Sequence, residues 1–511
     1  MSSTKHMIWL LCAGLAGCLL ILVATSRYGA GVSPDSVVYL AVAENLLEGR
    51  GATHYTGEPR TLQPPLYSAV LAVLAAGEGA RLEGAARVLN AALFGLILMM
   101  TGRLAYRFTR SWPMAWACAA VIAVTRPLQD AAVMAWSEPL FIFLTLLFLW
   151  GLDVYSRAPS NRLVLFLALI AAAATLTRYI GVTLIGTGVI GLFLLADGSL
   201  KRRVLQSVFF AIPATAPLLV WWIRNYSLSG TFMGQVLPSQ TSFTQNLLLF
   251  GEALWASVFP LGVVSRIPSA LTGGLCALII LGYALALGRR VLRAPYKLAG
   301  AQHVAAIFAG LYSALLVYTS TTTLYDAINV RLISPMFVPA VLWVGLLVHE
   351  HSFGRMRRLV TVSVIGLCVV ALSVSALFIA RYVQAGVPGY NHERWREGDL
   401  VAQLLAGDGP DAEVLYTNDP GALYYFAGRS AVPVPHRESL DPDQPVRDAQ
   451  DWVGRWPEQD GGLLVWFEQA SALRQFTREE VMSMADVEIL QHYEDGFIAR
   501  ISRLGAGVPS H

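Results

Sequence analysis

The sequence is poor in charged residues and in cysteine. Asp, Glu, Lys and Arg make up only 14% of its 511 residues, whereas a soluble domain has about a quarter. This scarcity excludes an ordinary soluble enzyme, and the basic residues fall in short clusters between apolar runs, so no nucleic-acid surface is predicted. All five cysteines lie within apolar runs, which favours neither a disulfide framework nor a metal–thiolate site.

Apolar residues are what the sequence has in abundance. They account for 55% of the chain, and the mean hydropathy is +0.54. Many apolar runs approach the roughly 20 residues that a helix needs to cross about 30 Å of hydrocarbon, which predicts an all-α polytopic membrane protein. The first run is long and further spans follow it, so we interpret it as a retained helix rather than a cleaved signal. We place eleven crossings, at about 7–26, 84–106, 112–127, 136–152, 163–178, 180–196, 204–225, 269–288, 302–319, 331–348 and 359–381.

Charge is distributed unevenly along the chain. Up to Arg381 the sequence has 27 basic and 13 acidic residues, and after it 10 basic and 21 acidic residues. With eleven crossings, alternate loops carry most of the cations, and the positive-inside rule places those loops in the cytoplasm. The N-terminus is then inside and the C-terminus outside a cell inner (plasma) membrane. The outer, periplasmic face receives the segments 27–83, 128–135, 226–268 and 320–330, and the tail.

The first outer loop is predicted to contain two short interfacial helices. Residues 35–48 mix apolar and polar positions as an interfacial amphipathic helix does. Ser33 or Asp35 is a plausible N-cap for it, and Gly49 a plausible stop. A second helix is expected from about Pro65 to Ala76, because proline suits a first helical turn.

The chain divides into two predicted domains. Residues 1–382 form the membrane domain, and residues 383–511 form a small extracytoplasmic α/β domain. Short β-rich runs and turn residues indicate its elements. Strands are predicted at 413–418 and 462–467, helices at 419–428 and 477–484, and two further strands within 485–502.

Ionisable and aromatic side chains gather near the outer ends of the predicted spans. A charge near an apolar boundary is costly unless it is paired, hydrated or used, so these residues are functional candidates. Each also has a structural explanation, as a helix cap, a first-turn acid, an ordinary loop residue or an interfacial anchor. The candidates are Asp35, His54, Asp130, Glu138, Arg178, Tyr179, Arg224 and Arg331.

One or two carboxylates and two arginines on one membrane face suit a particular chemistry. An arginine can donate two hydrogen bonds to a phosphate, and a carboxylate can take a proton from an attacking hydroxyl. The pattern therefore favours transfer of a group from a membrane-anchored phosphate. It equally favours an anion-binding transporter.

Six short motifs occur in order along the membrane domain. The chain resembles the polytopic GT-C glycosyltransferases, in particular the branch similar to lipid A aminoarabinose transferase and protein O-mannosyltransferases. The resemblance covers about residues 1–350. The motifs are D-S-x-x-Y from Asp35 to Tyr39, A-x-N-L-L-x-G from Ala43 to Gly49, Q-P-P-L-Y from Gln63 to Tyr67, S-E-P-L-F from Ser137 to Phe141, T-R-Y-x-G from Thr177 to Gly181, and R-L-x-S-P-x-x-x-P from Arg331 to Pro339.

The resemblance implies roles for particular residues. In such families an aspartate in the first outer loop is essential and a second acid usually follows it directly. Asp35 matches the first position and Ser36 departs from the second, so a divalent metal ion is an open expectation and no cofactor is assigned. A further acid belongs in the next outer loop, where Asp130 fits and Glu138 is the substitute. The substrate-binding set is expected to be Tyr39, His54, Glu138, Arg178, Tyr179 and Arg331.

The reaction implied by the resemblance is inverting transfer of a sugar from a polyprenyl phosphate to an acceptor at the outer face. Asp35 and Asp130 are the expected catalytic residues, and Arg178 and Arg331 would neutralise the leaving phosphate. The acceptor could be a glycan, a lipid or a protein. Two other classes stay open: a transporter or flippase, and a non-catalytic protein of envelope biogenesis whose tail does the binding.

Overall fold

The structure of the protein is a computed structural model. It describes residues 3–76, 81–234, 236–258, 274, 301–324, 326–351, 354–407, 414–437, 448–459, 461–470 and 476–504. Helices dominate as far as Ala385. They are α1 (Ser3–Ala24), α2 (Pro34–Leu47), α3 (Leu66–Ala75), α4 (Leu82–Thr109), α5 (Trp112–Val124), α6 (Arg126–Val133), α7 (Glu138–Arg157), α8 (Asn161–Thr177), α9 (Val182–Leu195), α10 (Leu200–Ser229), α11 (Phe243–Val258), α12 (Ala301–Thr322), α13 (Val330–His351) and α14 (Gly354–Ala385).

Ten of the eleven predicted crossings coincide with helices, and the remaining one, 269–288, lies outside the described residues. Among the described helices, seven are long and apolar enough to cross a membrane. The helices α5, α8 and α9 are apolar but shorter. The expectation of a multi-pass membrane protein is therefore confirmed, while the number and direction of the crossings stay predictions.

Two helices occupy segments that we had assigned to outer loops. Helix α6 begins at Arg126 with proline in its first turn, and it ends at Val133. Helix α11 covers Phe243–Val258, within the predicted loop 226–268. Both carry buried apolar residues, such as Leu128 and Phe250, that pack into the core of the helical body. These segments are too short or too polar to predict a span, so the sequence pattern did not separate them from loops.

The helices α1 and α4 cross where each has a glycine. A Cβ atom added to Gly14 would lie 2.8 Å from the carbonyl oxygen of Gly95, and one added to Gly95 would meet the carbonyl of Gly14. The two backbones can approach this closely only because neither residue has a side chain, as in other membrane helix pairs. This crossing places α1 against the helix that leads to the outer face.

The first outer loop contains the two expected helices, α2 and α3. Ser33 is the N-cap of α2, with its hydroxyl accepting from the backbone N–H of Ser36 at 3.4 Å, so Asp35 is not the cap. An interfacial helix should expose one side, but α2 is buried along most of its length. The burial arises because the tail covers it: Leu423 and Phe426 share a core cluster with Tyr39.

The chain segment just before α2 is held by two other segments in extended conformation. Gly31 forms a bridge with Met134, in which its N–H donates to Val133 O at 2.8 Å and its carbonyl accepts from Ala135 N–H at 2.8 Å. On the other side, the N–H of Tyr390 donates to Val32 O at 2.8 Å. We call these three segments, 31–32, 133–135 and 389–391, the backbone strip. It fixes where α2 begins.

The tail forms a five-stranded mixed sheet with short helices, as expected. The strand order is β2-β1-β3-β5-β4, parallel between β2, β1 and β3 and antiparallel between β3, β5 and β4. The predicted elements are found within about two residues of their expected bounds, whereas the two helices before β1 and the short strand β2 were not predicted. The elements of the tail are α15 (Glu393–Arg396), α16 (Asp399–Leu405), β1 (Leu415–Thr417), α17 (Pro420–Ala427), β2 (Val432–Pro433), β3 (Gly462–Phe467), α18 (Arg478–Met484), β4 (Ala485–Tyr493) and β5 (Gly496–Arg503).

The tail and the first outer loop are joined by tyrosines of α17. The hydroxyl of Tyr424 donates to Glu44 of α2 at 2.9 Å, and that of Tyr425 donates to Glu83 of α4 at 2.7 Å. The ring of Tyr424 also stacks on that of Tyr55, with 4.8 Å between ring centroids. The sheet therefore lies over α2 and the loop that follows it, although the exact domain boundary at residue 382 stays a prediction.

The glycine crossing yields a testable prediction. We expect Gly95→Ala to destabilise the protein by about 1–3 kcal/mol, because the added methyl overlaps the backbone of α1. Gly84→Ala, the same change on the same helix, meets nothing within 4 Å and should be neutral or slightly stabilising, since alanine favours a helix. Thermal unfolding of the purified variants in detergent measures both. Equal unfolding temperatures for the two variants would contradict the close crossing.

Candidate active site

Asp35 lies in the first turn of α2, at the end of the helical body that the tail covers, and 41% of its side chain is exposed. Its Oδ2 accepts from Arg331 Nη2 at 2.9 Å. Its Oδ1 accepts from Gln63 Nε2 at 3.2 Å. The carboxylate is thus held from two sides while part of it faces solvent, as a group that exchanges protons with a substrate must.

Glu138 begins α7, and its side chain is completely buried. Its Oε1 accepts from Arg178 Nη1 at 2.8 Å and from Arg331 Nε at 2.7 Å. Its second oxygen, Oε2, has no hydrogen-bond partner among the residues that the structure describes. One buried carboxylate therefore joins the outer ends of α7, α8 and α13.

Arg331 is shared between the two carboxylates, so Asp35, Glu138, Arg178 and Arg331 form one connected group, which we call the acid–arginine cluster. The guanidinium carbon of Arg331 lies 3.9 Å from the ring centroid of Trp136, a cation–π geometry that fixes its plane. The cluster contains two carboxylates and two guanidinium groups, and their charges compensate one another.

Hydroxyl groups extend the acid–arginine cluster towards α2. Tyr39, one turn after Asp35, lies with its hydroxyl 3.1 Å from Ser137 Oγ. The same Ser137 Oγ accepts from Arg178 Nη1 at 3.2 Å. The structure thus brings together Asp35, Tyr39, Glu138, Arg178 and Arg331, all of which the sequence analysis selected.

Arg60 is a third cation beside the cluster, and the sequence analysis missed it. Its Nε donates to Gln63 Oε1 at 2.7 Å, and its Nη2 donates to the same oxygen. Its Nη1 makes no hydrogen bond within the described ranges. Burial lowers the pKa of Arg60, and the negative charge of Asp35 opposes this, but an arginine stays charged at neutral pH. Arg60 therefore carries a positive charge that no salt bridge in the described chain neutralises.

A pocket lies next to Arg60. It is bounded by α2, by the loop before α3 and by α10, and Trp221 contributes the α10 side. Its walls are mostly apolar, and its polar side chains include Arg60, Gln63 and Ser68. The lining residues are Val38, Tyr39, Val42, Ala52, Arg60, Gln63, Pro64, Pro65, Ser68 and Trp221.

The loop that carries Arg60 is held by the outer end of α10. Arg224 donates to the carbonyl of Arg60 at 2.8 Å and to that of Ala52 at 3.0 Å. Tyr179 donates from its hydroxyl to Thr61 O at 2.6 Å. Tyr179, an expected substrate-binding residue, and Arg224, a candidate that could also be an interfacial anchor, both donate to carbonyls of this loop.

Two expected site residues have other partners. Asp130 forms a salt bridge of 3.2 Å with Arg126 in α6 and accepts from the hydroxyl of Tyr382 at 3.3 Å, and burial raises its pKa. His54 lies 3.0 Å from Thr56 Oγ1, and burial together with Arg60 lowers the pKa of His54 to about 4. Arg331, the partner of Asp35, also binds Glu138, which the sequence analysis gave as the substitute for Asp130. Asp130 does not contact Arg331.

The residues around Asp35 do not fit a divalent metal ion. No group of three or more His, Cys, Asp or Glu side chains with metal-binding geometry occurs in the described part of the chain. Both carboxylates of the acid–arginine cluster already bind guanidinium groups, which would repel a cation. We therefore derive no step through a metal.

The missed residues gave little signal in the sequence. Gln63 stands in the Q-P-P-L-Y motif, but an uncharged side chain does not suggest a partner for an acid. Arg60 lies in a segment without helical or strand periodicity. Trp136 precedes a predicted span, where an aromatic residue is commonly an interfacial anchor. Only the folded loop brings these three side chains to Asp35 and Arg331.

The fold is similar to those of two solved membrane proteins, ArnT and AglB, and this similarity confirms the resemblance at the level of fold. The crystal structure of ArnT from Cupriavidus metallidurans bound to undecaprenyl phosphate matches 100% of both chains, with a TM-score of 0.59 and 14% sequence identity. Its apo structure matches 98% of both chains, with a TM-score of 0.58 and 14% identity.

An archaeal enzyme has a related architecture. The oligosaccharyltransferase AglB from Archaeoglobus fulgidus, in complex with an inhibitory peptide and a dolichol-phosphate, has a TM-score of 0.51 and 10% identity, over 91% of this chain and 70% of that chain. No protein-family model and no curated protein matches the sequence. At these identities the similarity shows the fold alone.

The burial of Glu138 predicts a large effect of neutralising it. Glu138→Gln should lower the free energy of unfolding by about 3–5 kcal/mol, because two arginines are left near one another without their shared carboxylate. Glu488→Gln is a matched control: its pair with Arg500 has the same short distance, 2.7 Å, but both side chains are more than half exposed. That change should cost less than about 1 kcal/mol. Unfolding measurements in detergent compare the two, and similar losses would contradict the central role of Glu138.

Proposed function

We propose that the protein is a membrane glycosyltransferase that moves a sugar from a polyprenyl phosphate to an acceptor hydroxyl, with inversion at the anomeric carbon. The observation that carries the proposal is the convergence of Asp35, the acid–arginine cluster and the Arg60 pocket at one end of the helical body. The fold supports it, since ArnT was crystallised with undecaprenyl phosphate and AglB with dolichol-phosphate.

Asp35 acts as the general base in this proposal. The acceptor oxygen attacks the anomeric carbon of the sugar while its proton passes to the Asp35 carboxylate. The bond between that carbon and the phosphate oxygen breaks, and the polyprenyl phosphate leaves with the bonding electrons. Because Asp35 is partly exposed and Glu138 is completely buried, Asp35 is the carboxylate that an acceptor arriving from water can reach.

Arg60 supplies the charge that meets the donor phosphate. Arg178 and Arg331 were expected to do so, but their charges are balanced by Glu138 and Asp35. Arg60 adds one positive charge to a cluster that is otherwise neutral, which matches the single negative charge of a phosphodiester. Arg60 lines a small, mostly apolar pocket beside α10, which a headgroup attached to an isoprenoid chain would widen on binding.

Glu138 has a supporting task in the proposed site. By accepting from Arg178 and Arg331 at once, it keeps both guanidinium groups at fixed positions near the leaving phosphate. We assign to Glu138 the place of the second acid, which the sequence analysis gave to Asp130. Asp130 stands beside Arg126 and Tyr382 and stabilises the start of α6.

The proposed setting is the cell inner membrane, with the acid–arginine cluster and the tail on the outer side. The excess of basic residues in the loops opposite the cluster supports this orientation. The tail contacts α2 through Tyr424 and α4 through Tyr425. The acceptor, whether glycan, lipid or protein, reaches the exposed part of Asp35 from this side of the helical body.

Replacing the proposed base tests the function. Purified protein incubated with a panel of polyprenyl phosphate sugars should release polyprenyl phosphate and form a glycosylated acceptor. Asp35→Asn should lower this transfer by at least about 100-fold, because the amide cannot take the proton. Asp326→Asn, the same change in the exposed turn before α13, should leave it intact. A wild-type protein that transports the lipid without cleaving the sugar–phosphate bond would exclude a transferase.

Replacing Arg60 tests the donor site. Arg60→Met keeps an unbranched side-chain stem and removes the charge, so the affinity for polyprenyl phosphate should fall about tenfold or more. Arg50→Met changes the same loop at a residue whose side chain is 56% exposed and pairs with Glu48, and it should have little effect. Binding is measured by calorimetry in detergent. Equal affinities for the two variants would remove Arg60 from the donor site.

A further inference from the structure

Gln63 connects Arg60 to Asp35. Its Oε1 accepts from Arg60, and its Nε2 donates to Asp35 Oδ1 at 3.2 Å. No other uncharged side chain in the described chain forms a hydrogen bond with the Asp35 carboxylate. The proposed reaction assigns no task to Gln63, although it lies between the two residues on which donor and acceptor depend.

The chemistry of the neighbours determines which way the amide of Gln63 is oriented. A guanidinium group has only donors, so the oxygen of the amide must face Arg60. The NH2 group then faces Asp35, to which it can only donate. Arg60 thereby forces Gln63 to present a donor to the carboxylate, and a donor favours the ionised form of an acid, which is the form that accepts a proton.

The backbone around Gln63 is fixed from both sides. Before it, Arg224 and Tyr179 hold the carbonyls of Arg60 and Thr61. After it, Pro64 and Pro65 restrict the backbone and lead directly into α3. The side chain of Gln63 therefore starts from a rigid position, which a group that orients another must have.

We propose that Gln63 is a positioning residue for Asp35: held by Arg60, it donates to the carboxylate and directs its free side towards the acceptor hydroxyl. This inference rests on the proposed function in taking Asp35 as the base. It adds a residue that also lines the pocket beside Arg60 and acts on the proposed transfer through its hydrogen bond to Asp35.

An isosteric substitution of Gln63 can keep its bond to Arg60 while changing its bond to Asp35. In Gln63→Glu the side chain keeps its size and still accepts from Arg60, but it turns a second carboxylate towards Asp35. Two adjacent carboxylates lose their protons less readily than one. The acidic limb of the pH profile of kcat/KM should therefore move to higher pH, by about one pH unit, whereas a merely structural residue would lower activity equally at every pH.

A second measurement does not depend on sugar transfer. Carbodiimides modify protonated carboxyl groups, so the extent of Asp35 labelling at each pH, read by peptide mass spectrometry, reports its protonation directly. The labelling midpoint of Asp35 should move upwards in Gln63→Glu. Gln403→Glu, the same change at a residue of the tail that bonds Tyr493 and Gln491, should move neither the labelling midpoint nor the pH profile.

The outcomes distinguish the two proposals. If the Asp35 labelling midpoint is the same in wild type and Gln63→Glu, or moves equally in Gln403→Glu, the role of Gln63 is overturned. If the midpoint moves in Gln63→Glu alone, Gln63 controls the protonation of Asp35. A protein that shows this movement but transfers no sugar from any donor would overturn the proposed function and leave the contact between Gln63 and Asp35 established.

Discussion

The outer end of the helical body depends on one buried carboxylate. Glu138 is removed from water, so its negative charge must be balanced by protein groups, and Arg178 and Arg331 provide the balance. Each partner comes from a different part of the chain, and together they fix the relative positions of α7, the end of α8 and the start of α13. Arg331 has a further nitrogen for Asp35 because Glu138 uses only its Nε.

In this arrangement some arginines are neutralised by salt bridges and another, Arg60, is not. Arginines that are fully compensated by carboxylates form a rigid frame but attract an anion only weakly. Arg60, which bonds a neutral amide, keeps its attraction for an anion. In the proposed reaction, the compensated part orients Asp35 and the uncompensated part attracts the donor, and Gln63 connects the two. A neutral connector allows the two parts to stay close without cancelling each other.

Helices and strands with a regular local sequence pattern could be predicted from the sequence. Apolar runs located ten helices of the body, and turn residues between short β-rich runs located the elements of the tail. Asp35, Glu138, Arg178 and Arg331 could be selected because charge at the end of an apolar run is rare. Arg60 and Gln63 could not, because their importance arises from the path of a loop that Arg224 and Tyr179 hold by backbone carbonyls. The burial of α2 was missed for a similar reason, since its cover comes from residues nearly four hundred positions later.

The backbone strip has a consequence for biosynthesis. Asp35 stands directly after a segment whose carbonyl at Val32 is bonded by Tyr390, and Tyr390 is made only after the whole helical body. During synthesis, the first outer loop is therefore made early, and every later helix of the body is made before Tyr390. The loop lacks this backbone partner throughout that time. Until then the segment before Asp35 lacks one of its backbone hydrogen bonds, so the first outer loop completes its fold only after the start of the tail has been made.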